Sequence, residues 1–530
     1  MKHLFLRFWR DFGKVSIILL FISLCNISSN FMQGAVLNDL VNLNLSQFTY
    51  HIILLFAVFM LLLIFTYAQI RYQAFVAQKI VTTLRSDIMD SISNIPYATF
   101  HERTSSTYVS WLSSDMQQME ERALDPFFNL IAGFLSTTIS IIALLSIHWS
   151  LIVLTLVEAL LLLNLPKIFH RELGEKSLNL SKENERFISK ASDYLSGYDT
   201  LYVFQRLPYI RKRVEDDSTI LGHSKRSYAK SYGKIAIAGG FGNIICQVSI
   251  MTLTGYLAYN QHISIGMILT AGGLGSTIFN TLGTLSQYIA TIQSVQPILD
   301  KFNALQTSNQ PTSTTVDQNQ TTFFALKDLT YAYDENIILH NLNYTFEKNK
   351  KYAIIGKSGS GKSTLVNILT GKLNNYSGSA LFFNQEIDTV SSRDIFDKIL
   401  YIDQNPHVFN DTIRNNLSLG DTFSDEQLIN ALKQVDLADL LTTLPDHLDT
   451  FIGEKGISLS GGQLQRIALA RGLLRNRNIV ILDESTSKLD KKTALQIEQS
   501  LINNDNLSVI MISHHLDDTI LQSLDGILSL

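Results

Sequence analysis

A membrane-spanning, all-α domain of six helices followed by an α/β domain of P-loop type is the fold class expected of this 530-residue chain. Two stretches without a single Asp, Glu, Lys or Arg, residues 126–157 and 235–299, carry the first half of that expectation. A glycine-rich loop between a strand-like run and an apolar periodic helix, residues 352–369, carries the second. The length allows two or three domains rather than one core. A composition of 46% hydrophobic and 17% charged residues, with 29 Phe and 20 Tyr, points to a bilayer.

A helix needs about 20 mostly apolar residues to cross the hydrocarbon, because every backbone N–H and C=O must be paired internally there. Six segments qualify: 15–38, 48–70, 127–147, 149–169, 235–259 and 262–290. The first follows a basic stretch, Lys2, Arg7, Arg10 and Lys14, as a signal peptide would. It runs on without a small-residue cleavage site and a second apolar segment follows, so it reads as a retained helix. The fourth contains Glu158, the one acidic residue expected inside a span. Such a residue faces a cavity or a partner, as a contact for a cationic substrate or a neighbouring subunit, or is protonated and packed. The glycines of IAIAGGFGN and AGGLGS in the last two spans permit close helix approach or local opening.

Lys and Arg are retained on the cytoplasmic side. The N-terminus, segment 71–126 with Arg71, Lys79, Arg85, Arg103 and Arg122, and segment 170–234 with Arg211, Lys212 and Arg213 are therefore expected inside. The connections around 39–47, 147–149 and 260–261 carry neither residue type and are expected outside. The two long inner segments have helical periodicity broken by few turn signals, Pro96 in one and Gly197 in the other. They read as membrane helices prolonged into the cytoplasm and joined by a short crosswise helix. Residues 306–322 are polar, rich in Thr, Gln and Asn, and read as a linker between domains at 1–305 and 323–530.

The net charge is −4, with 24 Lys+Arg against 21 Asp+Glu in residues 1–320 and 19 against 26 in 321–530. Neither half has the basic excess of a nucleic-acid binder. Cys25 and Cys246 lie in apolar stretches, as small buried hydrophobes rather than a disulfide or metal ligands.

Residues Gly356, Lys357, Ser358, Gly359, Ser360, Gly361, Lys362, Ser363 and Thr364 follow the strand-like Tyr352–Ile355 and open a helix. This is the G-x-x-x-x-G-K-[ST] pattern in the context it requires. Glycines let backbone N–H groups converge on phosphate oxygens, and the helix N-terminus favours their charge. Lys362 is expected at the β- and γ-phosphates and the Ser363 hydroxyl on Mg²⁺, so ATP and Mg²⁺ are the expected ligands. The apolar run 479–482 reads as a central parallel strand ending in Asp483, expected to hold Mg²⁺ directly or through water, with Glu484 beside the attacking water.

With Leu459-Ser460-Gly461-Gly462-Gln463, the region from 321 to 530 resembles the nucleotide-binding domain of the ATP-binding cassette (ABC) transporters, and carries its motifs in order. The resemblance implies an α/β P-loop ATPase domain with a helical subdomain. It also implies that Ser460, Gly461, Gly462 and Gln463 close over the γ-phosphate held by an opposite domain, so that the chain works as a dimer and is a poor ATPase alone. Tyr333, 23 residues before Gly356, resembles the aromatic that stacks on adenine, with Tyr331 as the alternative. Gln404 resembles the glutamine that senses Mg²⁺ and the attacking water at the seam with the membrane domain. His514, 30 residues after Glu484, resembles the switch histidine, with His515 as competitor. Lys488 departs from the family's usual small residue before Leu489-Asp490, which puts the cross-dimer contacts there in doubt.

Residues 1–305 resemble the six-helix membrane domain of the exporter branch, and the short helices near 99–107 and 198–206 would be its coupling elements. The expected activity is therefore ATP-driven export of an amphipathic or hydrophobic drug, lipid or peptide across a bacterial cell membrane. The partner would be a second half-transporter, identical or different, and nucleic acid is not expected as a partner. Without a peptidase domain before Val15, a leader-cleaving peptide exporter is disfavoured. Export of an amino-acid or thiol compound, an ATP-gated channel, and a regulatory subunit of a heterodimer are the alternatives.

Overall fold

The structure is a computed structural model describing residues 6–164, 170–306, 320–333, 336–357, 359–404, 406–453, 456–484, 491–513 and 517–530. The chain divides into two compact units, 1–90 with 105–305, and 91–104 with 306–530.

The first unit is helical. Its principal helices are α1 (Trp9–Val41), α2 (Leu45–Ser93), α4 (Thr107–Ile147), α5 (Trp149–Asn164), α6 (His170–Ser196), α7 (Tyr198–Val203), α8 (Pro208–Tyr259), α9 (Met267–Gln293) and α10 (Gln296–Gln306). The short α3 (Tyr97–His101) belongs to the second unit. Among the described residues α1, α2, α4 and α8 are long and apolar enough to cross a membrane, by length and composition. The fourth and sixth expected spans are also helices. The fourth, α5, is shorter and precedes residues 165–169, which lie outside the described ones, whereas α9 is diluted by Gly, Thr and Asn. The sixth helix starts at Met267 rather than 262, because His262–Gly266 form the turn leaving α8.

α2 and α8, at 49 and 52 residues, outrun any bilayer, so each continues well past its apolar stretch. α8 starts at a proline, where the missing N–H costs nothing, and lies between Gln205 and Gln261, both at positive φ. The crosswise helices are shorter than expected: α3 ends at His101 and α7 at Val203, with Gly197 as the N-cap of α7.

The glycines of the last two spans behave differently. A Cβ at Gly266 would collide with the carbonyl oxygen of Gly34, and one at Gly273 with the Asn30 side chain, so α9 approaches α1 closely. Asn38 accepts from the Gly266 N–H at 2.6 Å and donates to Ser264 at 2.9 Å across the same contact. A Cβ at Gly239 or Gly240 in α8 would meet nothing within 4 Å among the described residues. Packing thus accounts for Gly273 of the sixth helix and for Gly266 ahead of it, and not for these two. Glu158 is buried on α5, 6% exposed, and Cys246 is buried and free.

The second unit has an antiparallel sheet of order β2-β1-β4-β5, from β1 (Thr322–Tyr333), β2 (Asn336–Glu347), β4 (Ser377–Phe382) and β5 (Gln385–Glu386). A parallel sheet of order β11-β3-β10-β9-β6 is built from β3 (Lys351–Ile355), β6 (Ile399–Ile402), β9 (Ile479–Asp483), β10 (Ser508–Ile512) and β11 (Gly526–Ser529). Side chains alternate across each parallel strand. Ile479 and Ile481 join the core with Phe323, Phe346 and Phe382, while Val480 and Leu482 join the one with Ile413, Leu428 and Ile467. Strands buried on both faces are uniformly apolar for this reason. The second core also serves the helical part, in which Ile413–Ser418 and Asp425–Gln434 pack on Gly461–Leu473.

Register places the site. Ile354 pairs with Ile512, and Ile512 pairs with Asp483. The loop after β3, the end of β9 and the end of β10 therefore emerge together at the carboxyl edge of the sheet, where open α/β sheets hold their ligands.

Candidate functional site

The loop after β3 turns through Gly359 at φ +83° and Gly361 at φ +97°, conformations that a Cβ would strain. Gly356 is required for space instead, since a Cβ there would lie 2.5 Å from Ser360 Oγ and 2.7 Å from the Leu530 carbonyl oxygen. Helix α11 (Lys362–Leu369) starts directly after Gly361, directing free N–H groups into the loop. Lys362 Nζ donates to the Gly356 and Lys357 carbonyls at 2.8 and 3.0 Å, which holds its ammonium inside the loop. Ser363 is exposed on the first turn, while Thr364 is buried. Ser358 lies outside the described residues.

Asp483 is buried at the end of β9 and accepts from the Tyr401 hydroxyl at 3.1 Å. Burial pushes its carboxyl above the usual carboxylate range; the Tyr401 hydrogen bond opposes this, Asp403 and Glu484 add to it, and Lys372 opposes it. Glu484 follows at φ +49°, an uncommon conformation for a residue with a side chain, and its N–H donates to the Ile512 carbonyl at 3.0 Å. The turn swings its carboxylate to Gln404, whose Nε2 donates to Glu484 Oε2 at 2.7 Å. Two expected site residues 80 positions apart are thus in direct contact.

Ser460 caps the helix Gly461–Leu473. Its Oγ accepts from the Gln463 N–H at 3.3 Å, and Gln463 Oε1 accepts from the Ser460 N–H at 2.8 Å, a reciprocal capping box. The helix therefore begins at Gly461, directly after its cap. Tyr333 is half exposed at the end of β1, and its ring meets that of Tyr331 edge-on at 5.0 Å; Tyr331 itself is in the core. His514 and His515, like Lys488 and Asp490, lie outside the described residues.

Three residues that sequence reasoning passed over take part. Gln465, buried, donates to the Gln404 carbonyl at 3.2 Å and ties the Ser460 helix to the Gln404 loop. Tyr401 bonds Asp483, and its one advance signal was a polar tip in an otherwise apolar strand. Lys372 has its Nζ 4.0 Å from the Tyr401 ring centroid and 5.0 Å from that of Tyr97; burial lowers its pKa against the pull of Asp403 and Asp483. No sequence signal marks Gln465 or Lys372.

A family model for the ABC transporter transmembrane region matches residues 13–282, and a second, for the ABC transporter proper, matches 339–487. The chain belongs to the ABC transporter family. It is an ABC exporter with its helical membrane domain fused ahead of an α/β ATPase domain that binds ATP and couples its hydrolysis to transport. It is a multi-pass membrane protein. Among its relatives, the multidrug resistance-like ATP-binding protein MdlB of Buchnera aphidicola is 25% identical, over 96% of this chain and 89% of that protein. The ATP-dependent lipid A-core flippase of Photobacterium profundum is 26% identical, over 84% of this chain and 77% of that one. The glutathione/L-cysteine transport system ATP-binding/permease protein CydD of Bacillus subtilis is 29% identical, over 76% and 72%. A bacterial Atm1-family ABC exporter with ATP bound shares the exporter's fold, with a TM-score of 0.85 and 21% identity, covering 99% of this chain and 93% of that one.

The donor set suits Mg²⁺, a hard cation that takes oxygen ligands. The Ser363 hydroxyl, the Gln404 amide oxygen and the Asp483 carboxylate are all oxygen donors, and the last stands at the strand edge that bears the phosphate loop.

Proposed function

We propose that this exporter works as a dimer in the bacterial cell membrane, with its ATPase domain in the cytoplasm, and moves an amphipathic or hydrophobic substrate, a drug, lipid or peptide, outward. The observation that carries the reading is the Gln404–Glu484 contact beside the phosphate loop, in one chain with long apolar helices. A chain kept only for regulation has no need of a carboxylate held there.

In this reading the N–H groups of Gly359, Ser360 and Gly361 and the Lys362 ammonium bind the β- and γ-phosphates, and Tyr333 lies against adenine. Ser363, Asp483 and Gln404 would hold Mg²⁺, which when bound supplies positive charge to the β- and γ-phosphate oxygens. Glu484 orients the attacking water and accepts its proton, and Gln404 fixes the Glu484 carboxylate until that water is in place. His514 contacts the γ-phosphate, as the family resemblance implies. Ser460, Gly461, Gly462 and Gln463 serve the nucleotide of the second half-transporter. Ser460 Oγ accepts from its own helix and so keeps its proton to donate to an incoming anion.

Export of a thiol compound is the second reading, favoured by the likeness to the glutathione/L-cysteine relative. The test is ATP-dependent accumulation of labelled phospholipid, a lipophilic dye, a peptide and glutathione in inverted vesicles holding the purified exporter. Accumulation of one of the first three supports the main reading, and of glutathione alone the second. ATP hydrolysis without accumulation of any overturns both.

A further inference from the structure

The second compact unit contains residues 91–104, and with them α3. α3 follows α2 after residues 94–96 alone, so the chain runs from an apolar helix into this unit through a short Pro96-capped turn. On α3, Tyr97 stacks on His101 with ring centroids 3.9 Å apart, and His101 Nδ1 lies 2.9 Å from the Tyr97 carbonyl oxygen. The Tyr97 ring is thereby held at a defined orientation. Against it lies the ammonium of Lys372, and on that ammonium's other contact lies the Tyr401 ring. Tyr401 in turn donates its hydroxyl to Asp483.

We propose that Tyr97, Lys372 and Tyr401 are positioning residues that link the placement of α3 to the orientation of the Asp483 carboxylate. The link rests on reading Asp483 as a holder of the nucleotide's metal ion. Its physical basis is the cation between two rings: a Lys ammonium is attracted to the faces of both, so a shift of one ring draws it from the other. Tyr401 is confined by the β6 backbone, which pairs along its length with β9, so its freedom lies in the ring and hydroxyl. A single hydrogen bond from that hydroxyl to a buried carboxylate is a charge-assisted contact, among the stronger kinds. A helix attached to the membrane domain thus acts on Asp483 by a route separate from Gln404.

The test uses the full-length protein in lipid nanodiscs with a non-hydrolysable ATP analogue and Mn²⁺ as the probe, bound metal being read by electron paramagnetic resonance. Tyr401→Phe keeps the ring under Lys372 and deletes only the hydroxyl, and should weaken Mn²⁺ binding about ten- to a hundredfold, the worth of one charge-assisted hydrogen bond. Tyr97→Leu should weaken it in the same direction, Tyr97→Phe should match the parent, and Tyr97→Leu with Tyr401→Phe should do no worse than Tyr401→Phe alone. Unchanged Mn²⁺ binding in Tyr97→Leu, equal losses in Tyr97→Phe and Tyr97→Leu, or additive losses in the double variant would each overturn the link. Asp483→Asn separates the two levels. If it leaves Mn²⁺ binding intact, the reading of Asp483 itself fails; if it abolishes binding while Tyr97→Leu does nothing, only the link fails.

Discussion

Gln404 Nε2 donates to Glu484 Oε2 at 2.7 Å, joining the loop after β6 to the residue after β9. The contact gives the carboxylate a fixed direction before any substrate arrives. Glu484→Gln keeps the shape and removes the charge, so ATP binding should persist while phosphate release falls about 10²- to 10⁴-fold, the usual contribution of a positioned acid or base. Equilibrium binding of a fluorescent nucleotide and single-turnover phosphate release check the two halves, and the variant should accumulate as an ATP-bound dimer on size exclusion.

Gly361 stands at φ +97° with Leu339 Cδ2 2.8 Å from where a Cβ would be. Gly361→Ala therefore meets backbone strain and a clash together. About 1–3 kcal/mol of local strain is expected from the backbone conformation alone. Nucleotide binding should be lost while the helical membrane unit keeps its circular dichroism, which distinguishes a distorted loop from an unfolded protein.

Ser460 has two separable duties, capping its own helix and serving a facing nucleotide. Ser460→Ala should cost about 1 kcal/mol through the cap. Ser460→Arg should retain ATP binding by each chain yet abolish hydrolysis, because bulk is placed where the second chain closes. Titrating protein concentration against ATPase rate checks this: the parent should show a rise with concentration that the arginine variant lacks.

Arg414 forks between Asp425 at 2.5 Å and Asp449 at 2.7 Å, and its hydrogen bonds hold both carboxyls below their usual range. A lowered folded-state pKa means stability that is complete above the unfolded carboxylate pKa of about 3.9 and disappears as pH falls through the folded value. Arg414→Ala should accordingly unfold at a lower temperature than the parent at neutral pH, and the gap should close with acidification below about pH 4. Both carboxylates are exposed, so the gap should be modest and shrink in high salt.

Much of the site was legible because local rules determine it. Gly359 and Gly361 are where the backbone needs a left-handed conformation, Ser460 and Gln463 have the spacing of a reciprocal cap, and Asp483 ends a run that only a twice-buried strand explains. The six apolar segments were legible for the same reason, since hydrocarbon imposes one answer on the backbone. What escaped was long-range and made by ordinary residue types. Lys372 meets Tyr97 and Tyr401, and Gln465 meets Gln404, across separations that leave no period. The short crosswise helix was expected near 99–107 and lies at Tyr97–His101, because Pro96 starts it earlier than the turn signals alone suggest. Helix ends escaped where a polar turn such as His262–Gly266 borders the apolar run without a proline.

The uninterrupted course of α8 has a mechanical consequence. At about 1.5 Å per residue its 52 residues make a rod of roughly 78 Å, with its sole proline at the first position. Such a rod has no proline hinge along its shaft at which an axial push could be absorbed. The pivots are then the turns that flank it, at Gln205 and Gln261, whose left-handed backbones already stand outside the helical basin.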